Sequence, residues 1–458
     1  MSEALDMTSR DTPAGNGTTV IVGMGKTGLS FARFLRRHGQ QFAITDTRRE
    51  PPGVAALRAE MPGVPAHFGA DGEQLLRGAR RVLLSPGVSA REPAVAAAIE
   101  RGAEVIGDIE LFARHADAPV VAITGANGKS TVTTLVGAMA ERAGIDVRTG
   151  GNLGTPALDL LGGESPDLYV LELSSFQLET VTSLNAKAAA VLNISPDHMD
   201  RYSTLEEYAA AKRRIYRGTG VMIMNADDAT VMRMAEPARE RVLFSLHAPE
   251  ADADFGVLDA GGEPWLAHGG RRLMPAREMR IKGMHNVANA LAALALGHAA
   301  GLPAEPMLQT LREFPGLPHR CQWVGRAHGV DWFDDSKGTN VGATVAAILG
   351  LGADRPVVLI AGGDGKGQDF SELAGAARNR LRGAVTIGRD GPAIAAVLQD
   401  VVAVAQARDM QDAVARAADM AQPGDAVLLS PACASFDMFR DYVHRGEVFA
   451  AAVREQLA

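Results

Sequence analysis

Short apolar runs recur along this chain, and each stops at a glycine or a polar cluster. Thr18–Val22, Phe42–Thr45 and Arg81–Leu84 form a first set. Val120–Ile123, Asp167–Glu172, Val191–Ile194 and Val221–Met224 form a second, and Val330–Phe333, Val357–Ile360, Ala384–Ile387 and Ala426–Leu429 a third. Runs of this length, rich in β-branched residues and bounded by turn formers, predict buried strands. Longer stretches between them predict helices, among them Leu29–His38, residues 205–216 and the alanine- and leucine-rich 287–299. Alternating strand and helix signals predict α/β units with mainly parallel sheets. Residues 250–280 are short, glycine-broken and hairpin-like. The polar residues 1–17 read as a disordered tail, and Phe314-Pro-Gly-Leu-Pro318 reads as a linker.

The strand ends carry the chemistry. Val120–Ile123 runs into Thr124-Gly-Ala-Asn-Gly-Lys-Ser-Thr131 and then a helix, the layout of a phosphate-binding loop. Gly125 and Gly128 let backbone N–H groups approach phosphate oxygens, and the helix N-terminus adds its positive end. Lys129 supplies a cation, and Ser130 or Thr131 a hydroxyl for Mg²⁺. Two residues separate these glycines where the usual loop has four, so this is a variant. Gly23-Met-Gly-Lys-Thr-Gly28 follows the first strand, with Asp46 eighteen residues beyond. That is a dinucleotide fingerprint, which by default places Asp46 on a ribose hydroxyl and supports a rival reading as a dehydrogenase. Glu172 ends an apolar strand, where a nucleotide hydrolase needs an acid for Mg²⁺. Asp197, His198, Asp200 and Arg201 cluster after another strand. Lys212 stands beside Arg213 and Arg214, and spacing alone favours a solvated basic face. Three polar strand ends, Asp334–Asn340, Gly362–Lys366 and Ser430–Asp437, are expected on one sheet edge, building a pocket. Cys433 reads as a small buried residue rather than a nucleophile.

The expected fold is therefore three tandem α/β domains. A Rossmann-like N-terminal domain spans 18–110, a P-loop central domain with a mainly parallel sheet spans 111–316, and a Rossmann-like C-terminal domain spans 317–458. Composition narrows the function. Of 458 residues, 47% are hydrophobic and 22% charged, ordinary for a soluble globular protein. The net charge of −8 argues against general nucleic-acid binding. Two cysteines offer neither a disulfide framework nor zinc spacing. With no signal peptide and no apolar run long enough for a membrane span, a cytoplasmic protein without membrane partners is expected.

Thr124–Ser130, Leu171-Glu-Leu-Ser-Ser-Phe-Gln-Leu-Glu179, Asp197-His-Met-Asp-Arg-Tyr202, His285-Asn286, Asp335-Ser-Lys337 and Ser430–Asp437 together resemble the Mur ligases, over nearly the whole chain. The resemblance implies one domain for a UDP-sugar, one for ATP and one that closes over the site with an amino acid. It implies amide formation in peptidoglycan precursor synthesis. The carboxylate of UDP-N-acetylmuramoyl-L-alanine becomes an acyl phosphate, and D-glutamate then displaces phosphate. It implies ATP and two Mg²⁺ ions, held by Ser130, Glu172, His198 and Lys212, the last N-carboxylated by CO₂. Lys129, Glu172, His198 and Lys212 would be the catalytic set. Lys26, Thr27, Asp46, Thr47, Arg48, Ser85 and Gly87 would line the uridine-diphosphate site, and Asn152 would touch the sugar. Gly125, Asn127, Gly128, Lys129, Ser130, Thr131, Asn286, Asn289, Arg320, Asp335 and Lys337 would address ATP. Thr339, Lys366, Ser435 and Phe436 would hold D-glutamate. A monomer is expected. A sibling with a similar loop, folylpolyglutamate synthetase, would need no N-terminal uridine domain.

Overall fold

The computed structural model describes residues 18–69, 72–353 and 355–457. The expected tail, residues 1–17, lies outside the described residues. Two compact units emerge. One gathers Met1–Ala122, Asp146–Lys187 and Arg214–Gly220; the other gathers Ile123–Ile145, Ala188–Arg213 and Val221–Ala458.

In the first unit, β1 (Thr18–Val22), β2 (Phe42–Asp46), β3 (Ala66–Phe68), β4 (Ala79–Leu84) and β5 (Glu104–Ile106) form a sheet of order β3-β2-β1-β4-β5. All its pairings are parallel. Strands covered on both faces need apolar residues in sequence, and β2 is buried along its full length. The strand order reverses at β1, so the ends of β1 and β4 open a crevice. The helix after β1 begins at Lys26, earlier than its periodicity predicts, and includes Gly28. A Cβ at Gly28 would sit 2.1 Å from the Gly23 carbonyl oxygen, so only glycine lets the loop close this tightly. Strand β6 (Val120–Thr124) leads out of this unit. Strands β7 (Val147–Gly151) and β8 (Leu168–Glu172) pair in parallel within it. Gly150 and Gly151, expected in a loop, therefore end a strand.

In the second unit, β9 (Ala188–Val191), β10 (Val221–Asn225), β11 (Arg241–Phe244) and β12 (Phe255–Asp259) pair in parallel succession. Then β13 (Pro264–His268) and β14 (Arg271–Pro275) turn back antiparallel, the hairpins expected in 250–280. The last sheet holds β15 (Gln322–Ala327), β16 (Val330–Asp334), β17 (Val357–Gly362), β18 (Leu381–Ile387), β19 (Ala403–Gln406) and β20 (Ala426–Leu429). Its order is β15-β16-β20-β17-β18-β19, parallel except for β15. The adjacency of β16, β20 and β17 sets the three polar strand ends side by side, as expected. Among the described residues, no helix is long and apolar enough to cross a membrane.

Candidate active site

The phosphate loop is held by its own hydrogen bonds and those of its neighbours. β6 is wholly buried, and Gly128 caps the helix Lys129–Arg142 from the left-handed region, at φ 82°. The Asn193 side chain brackets the Asn127 peptide, accepting from its N–H at 2.8 Å and donating to its carbonyl at 3.1 Å. Lys129 Nζ lies 2.8 Å from both the Gly125 and Ala126 carbonyl oxygens, so the ammonium caps its own loop. Arg320 reaches the loop from beyond the linker, donating to Ser130 Oγ at 2.8 Å.

A cavity of about 330 Å³ opens beside this loop. Its walls hold Asn127, Gly128, Thr131, Asn286, Asn289, Arg320, Asp335 and Lys337, all expected at ATP. Gly125, Lys129 and Ser130 belong to the loop without lining the cavity. Sequence reasoning did not single out Asn193, Ser195, Asn225, Phe244 and His285 as lining residues. His285 stands in the quoted His285-Asn286 pair, and its buried Nδ1 has no partner among the described residues.

Lys212 overturns the solvated-face reading. It is 1% exposed, its Nζ 3.3 Å from Thr124 Oγ1 and 4.6 Å from the centre of the Tyr208 ring. Tyr208 and Lys212 stand four apart on one inward helix face, while Arg213 is turned outward. The α-helix ends at Arg213 and a tighter turn, Arg214–Tyr216, continues it. His198 sits in the left-handed region at φ 57°. Burial lowers its basicity, and Lys366, Lys129 and Lys212 add to that against the opposing Asp197. Asp200 is exposed.

Asp335 follows β16 and is buried. Burial pushes its carboxyl up to about 7, against a hydrogen bond from Ser430 and the charge of Arg320. An acid whose folded-state value is raised adds stability that is present below its ordinary value and lost as pH rises through the raised one. Asp335→Asn is therefore expected to gain stability relative to the parent chain as pH rises from about 4 to 7. Paired thermal melts at pH 4.5 and 8 check this; an unchanged difference refutes it.

The amino-acid residues expected in the third region are zipped together by backbone. The Asp364 and Ala434 peptides exchange hydrogen bonds at 3.0 and 2.8 Å, and Ala432 N donates to Gly338 O at 2.9 Å. This draws the loops carrying Thr339, Lys366 and Ser435 together. Ser435 is buried, whereas Phe436 is 71% exposed. The Cys433 thiol is buried and pushed up to about 12, so it is a packing residue, as expected. Arg445, which the sequence reading did not single out, is buried beneath these loops, donating to Ser336 Oγ, Ser336 O and Cys433 O.

The first unit has its own cleft, of about 590 Å³, lined by Lys26, Thr27, Asp46, Thr47, Arg48, Ser85, Gly87 and Asn152. Asp46 is buried, and both its oxygens are used. They accept from Met24 N at 2.7 Å, Arg48 N and Nε at 2.9 Å, and Arg48 Nη2 at 2.7 Å. Burial raises its carboxyl, but the Arg48 guanidinium and these amides prevail and hold it below the usual range. The acid braces Arg48 and the glycine loop instead of standing open to a ribose, which removes the support for the dehydrogenase reading. Gln177 also lines the cleft, fixed by a capping box with Ser174 and by a bond to Asp108 at 2.7 Å. The Ser-x-x-Gln spacing was the available signal for it. Glu172, at the end of β8, is 2% exposed. Asn152 Nδ2 donates to its Oε1 at 2.6 Å, while its buried Oε2 has no partner among the described residues. An orphaned, buried carboxylate oxygen suits a metal ligand.

Comparison with known proteins identifies the family. Residues 17–107 match the family described as Mur ligase MurD-like, N-terminal domain. Residues 123–297 match the Mur ligase middle domain, and 319–433 the Mur ligase glutamate ligase domain. A UDP-N-acetylmuramoylalanine–D-glutamate ligase of Nitrosococcus oceani is 54% identical over 96% of this chain and 97% of its own. The enzyme of that name from Pseudomonas putida is 54% identical over 94% and 96%. Among solved structures, UDP-N-acetylmuramate-alanine ligase from Thermotoga maritima superposes with a TM-score of 0.61 at 18% identity. That match covers 96% of this chain and 100% of the other, and it bears on the fold alone. With three consecutive domain matches and relatives sharing more than half their residues along almost its full length, the chain belongs to the Mur ligase family.

Proposed function

We propose that this chain joins D-glutamate to UDP-N-acetylmuramoyl-L-alanine in the cytoplasm at the expense of ATP, as a monomer of three domains bounded at 18–110, 111–316 and 317–458. The observation that carries the reading is the cavity where the phosphate loop meets Arg320, Asp335 and Lys337. It supports a nucleotide held jointly by the residues before and after the linker. The names of the relatives support the two substrates.

A carboxylate is a poor electrophile at neutral pH. In the proposed reaction its oxygen attacks the γ-phosphorus, and the bond to ADP breaks. The D-glutamate amine then forms a bond to the carbonyl carbon and loses a proton, and phosphate leaves with the electron pair. Lys129 and the N–H groups of Gly128 and its helix would hold the phosphates where negative charge gathers. Asn286, Asn289, Arg320, Asp335 and Lys337 would orient the nucleotide. Lys366, Thr339 and Ser435 would meet the dicarboxylate with a cation and donors, and Phe436 would border it. In the first unit, Glu172 offers a metal its unpartnered oxygen. In the second, Ser130, His198 and a carbamate on Lys212 are the candidate ligands. Bound Mg²⁺ would neutralise repulsion between the anionic reactants.

Phosphate release from ATP is expected to require both substrates, with D-glutamate preferred over L-glutamate and meso-diaminopimelate by ~10²-fold or more. Equal use of L-glutamate, or activity on a folate, refutes the reading. The first cleft yields a separate prediction. Asp46→Ala frees Arg48 and the Met24 amide, and is expected to raise KM for the UDP-substrate about tenfold with little change for ATP. Equal effects on both would count against a uridine-diphosphate role for this cleft.

A further inference from the structure

Asn340 lies at a junction that the assigned roles leave unexplained. It follows Thr339 directly and caps the helix Val341–Leu351, its Oδ1 accepting from Ala343 N at 2.9 Å. It is 3% exposed. Its amide also forms a reciprocal pair with the side chain of Asn127 in the phosphate loop. Asn127 Nδ2 donates to Asn340 Oδ1 at 3.3 Å, and Asn340 Nδ2 donates to Asn127 Oδ1 at 3.2 Å. Asn340 Nδ2 donates in addition to Asp197 Oδ2 at 3.3 Å. Asp197 in turn accepts the His198 N–H at 2.9 Å. One side chain thus touches the phosphate loop and the turn carrying His198, and fixes the start of a helix in the third region.

We propose that Asn340 is a positioning residue that sets the amino-acid loop in register with the phosphate loop and with the Asp197-His198 turn. This inference rests on the function proposed above. Only a carboxamide meets all the demands. Its oxygen caps the helix and accepts from Asn127, and its nitrogen donates to two acceptors. A carboxylate keeps the cap but sets an acceptor against Asn127 Oδ1 and a like charge against Asp197. A misplacement of this kind is felt in turnover, because the reacting groups must meet in a narrow geometry.

The test uses the full chain. Asn340→Asp is expected to keep its circular dichroism and melting profile, because the capping oxygen remains. It is expected to lower kcat by ~10²-fold while KM for the UDP-substrate stays unchanged. Adding Asp197→Asn returns a donor to the contact and is expected to recover about tenfold. Asn340→Ser keeps a capping hydroxyl and lacks the reach to Asn127 and Asp197, so it should show the same kcat loss if the aspartate variant fails to fold. Near-normal turnover in the folded single variants overturns the proposal, as does a double variant whose losses simply multiply. An inactive parent chain overturns the proposed function and this inference together; an active parent with indifferent Asn340 variants overturns only the inference.

Discussion

Replacing Lys212 by alanine is expected to lower turnover by at least ~10³-fold while the chain remains folded. The argument begins with burial. Lys212 is 1% exposed, with its Nζ 3.3 Å from Thr124 Oγ1 and over the Tyr208 ring, so its amino group is held inside the fold and away from bulk water. Only a neutral amine attacks CO₂, so the proposed modification requires the uncharged form of this side chain. In the proposed modification a new N–C bond would give a carbamate and release a proton. Such a carbamate would present two hard oxygens, suited to Mg²⁺ where an ammonium would repel it. Lys212→Arg is expected to fail as well, because a guanidinium stays charged and forms no carbamate. Short carboxylates such as formate or acetate are expected to restore part of the activity of Lys212→Ala by taking the vacated ligand position. Carbon-13 spectroscopy with labelled CO₂ gives a readout apart from turnover, a carbamate resonance lost in the variant. Near-normal turnover of Lys212→Ala in CO₂-depleted buffer would refute this role.

Glu172→Gln is expected to trade activity for stability. The parent carboxylate is buried with one oxygen bonded to Asn152 and the other without a partner among the described residues. Leaving a polar group in that condition costs about 1–3 kcal/mol, more when charged. The amide has the same shape and no charge. Melting should therefore move up by a few degrees, while turnover falls by ~10²-fold or more if the proposed metal ligand is lost. Asn152 can still donate to the remaining oxygen, so the end of β8 keeps its geometry. A variant with lower stability and unchanged Mg²⁺ dependence would show that Glu172 serves packing alone.

These two residues also mark where sequence reasoning reached and where it stopped. Glu172 was legible because its signal is local, an acid closing an apolar strand after a phosphate loop. The phosphate loop itself, the hairpins of 250–280 and the strand–loop edges of the third region were legible for the same reason. Glycines, β-branched runs and strand ends lie within a few residues of each other. The strands β3, β5 and β15 were not singled out. The first two are three residues long and only partly buried, and β15 is an antiparallel edge with mixed polarity. Lys212 was misread because a basic triplet says nothing about which way a helix turns. The neighbours that bury it come from elsewhere in the chain, Thr124 lying 88 residues away.

By itself, then, the sequence determined the α/β character, the variant phosphate loop and the chemical types available at each strand end, since these depend on neighbours along the chain. Tertiary structure alone decided which of those ends meet. Asn127 pairs with Asn340 across 213 residues, Arg320 reaches Ser130 across 190, and Arg445 braces Ser336 across 109. No local periodicity encodes such partners. They follow from loops and helices that belong to different sheets or lie far apart in the chain, and they meet only once those sheets and the helices covering them have formed.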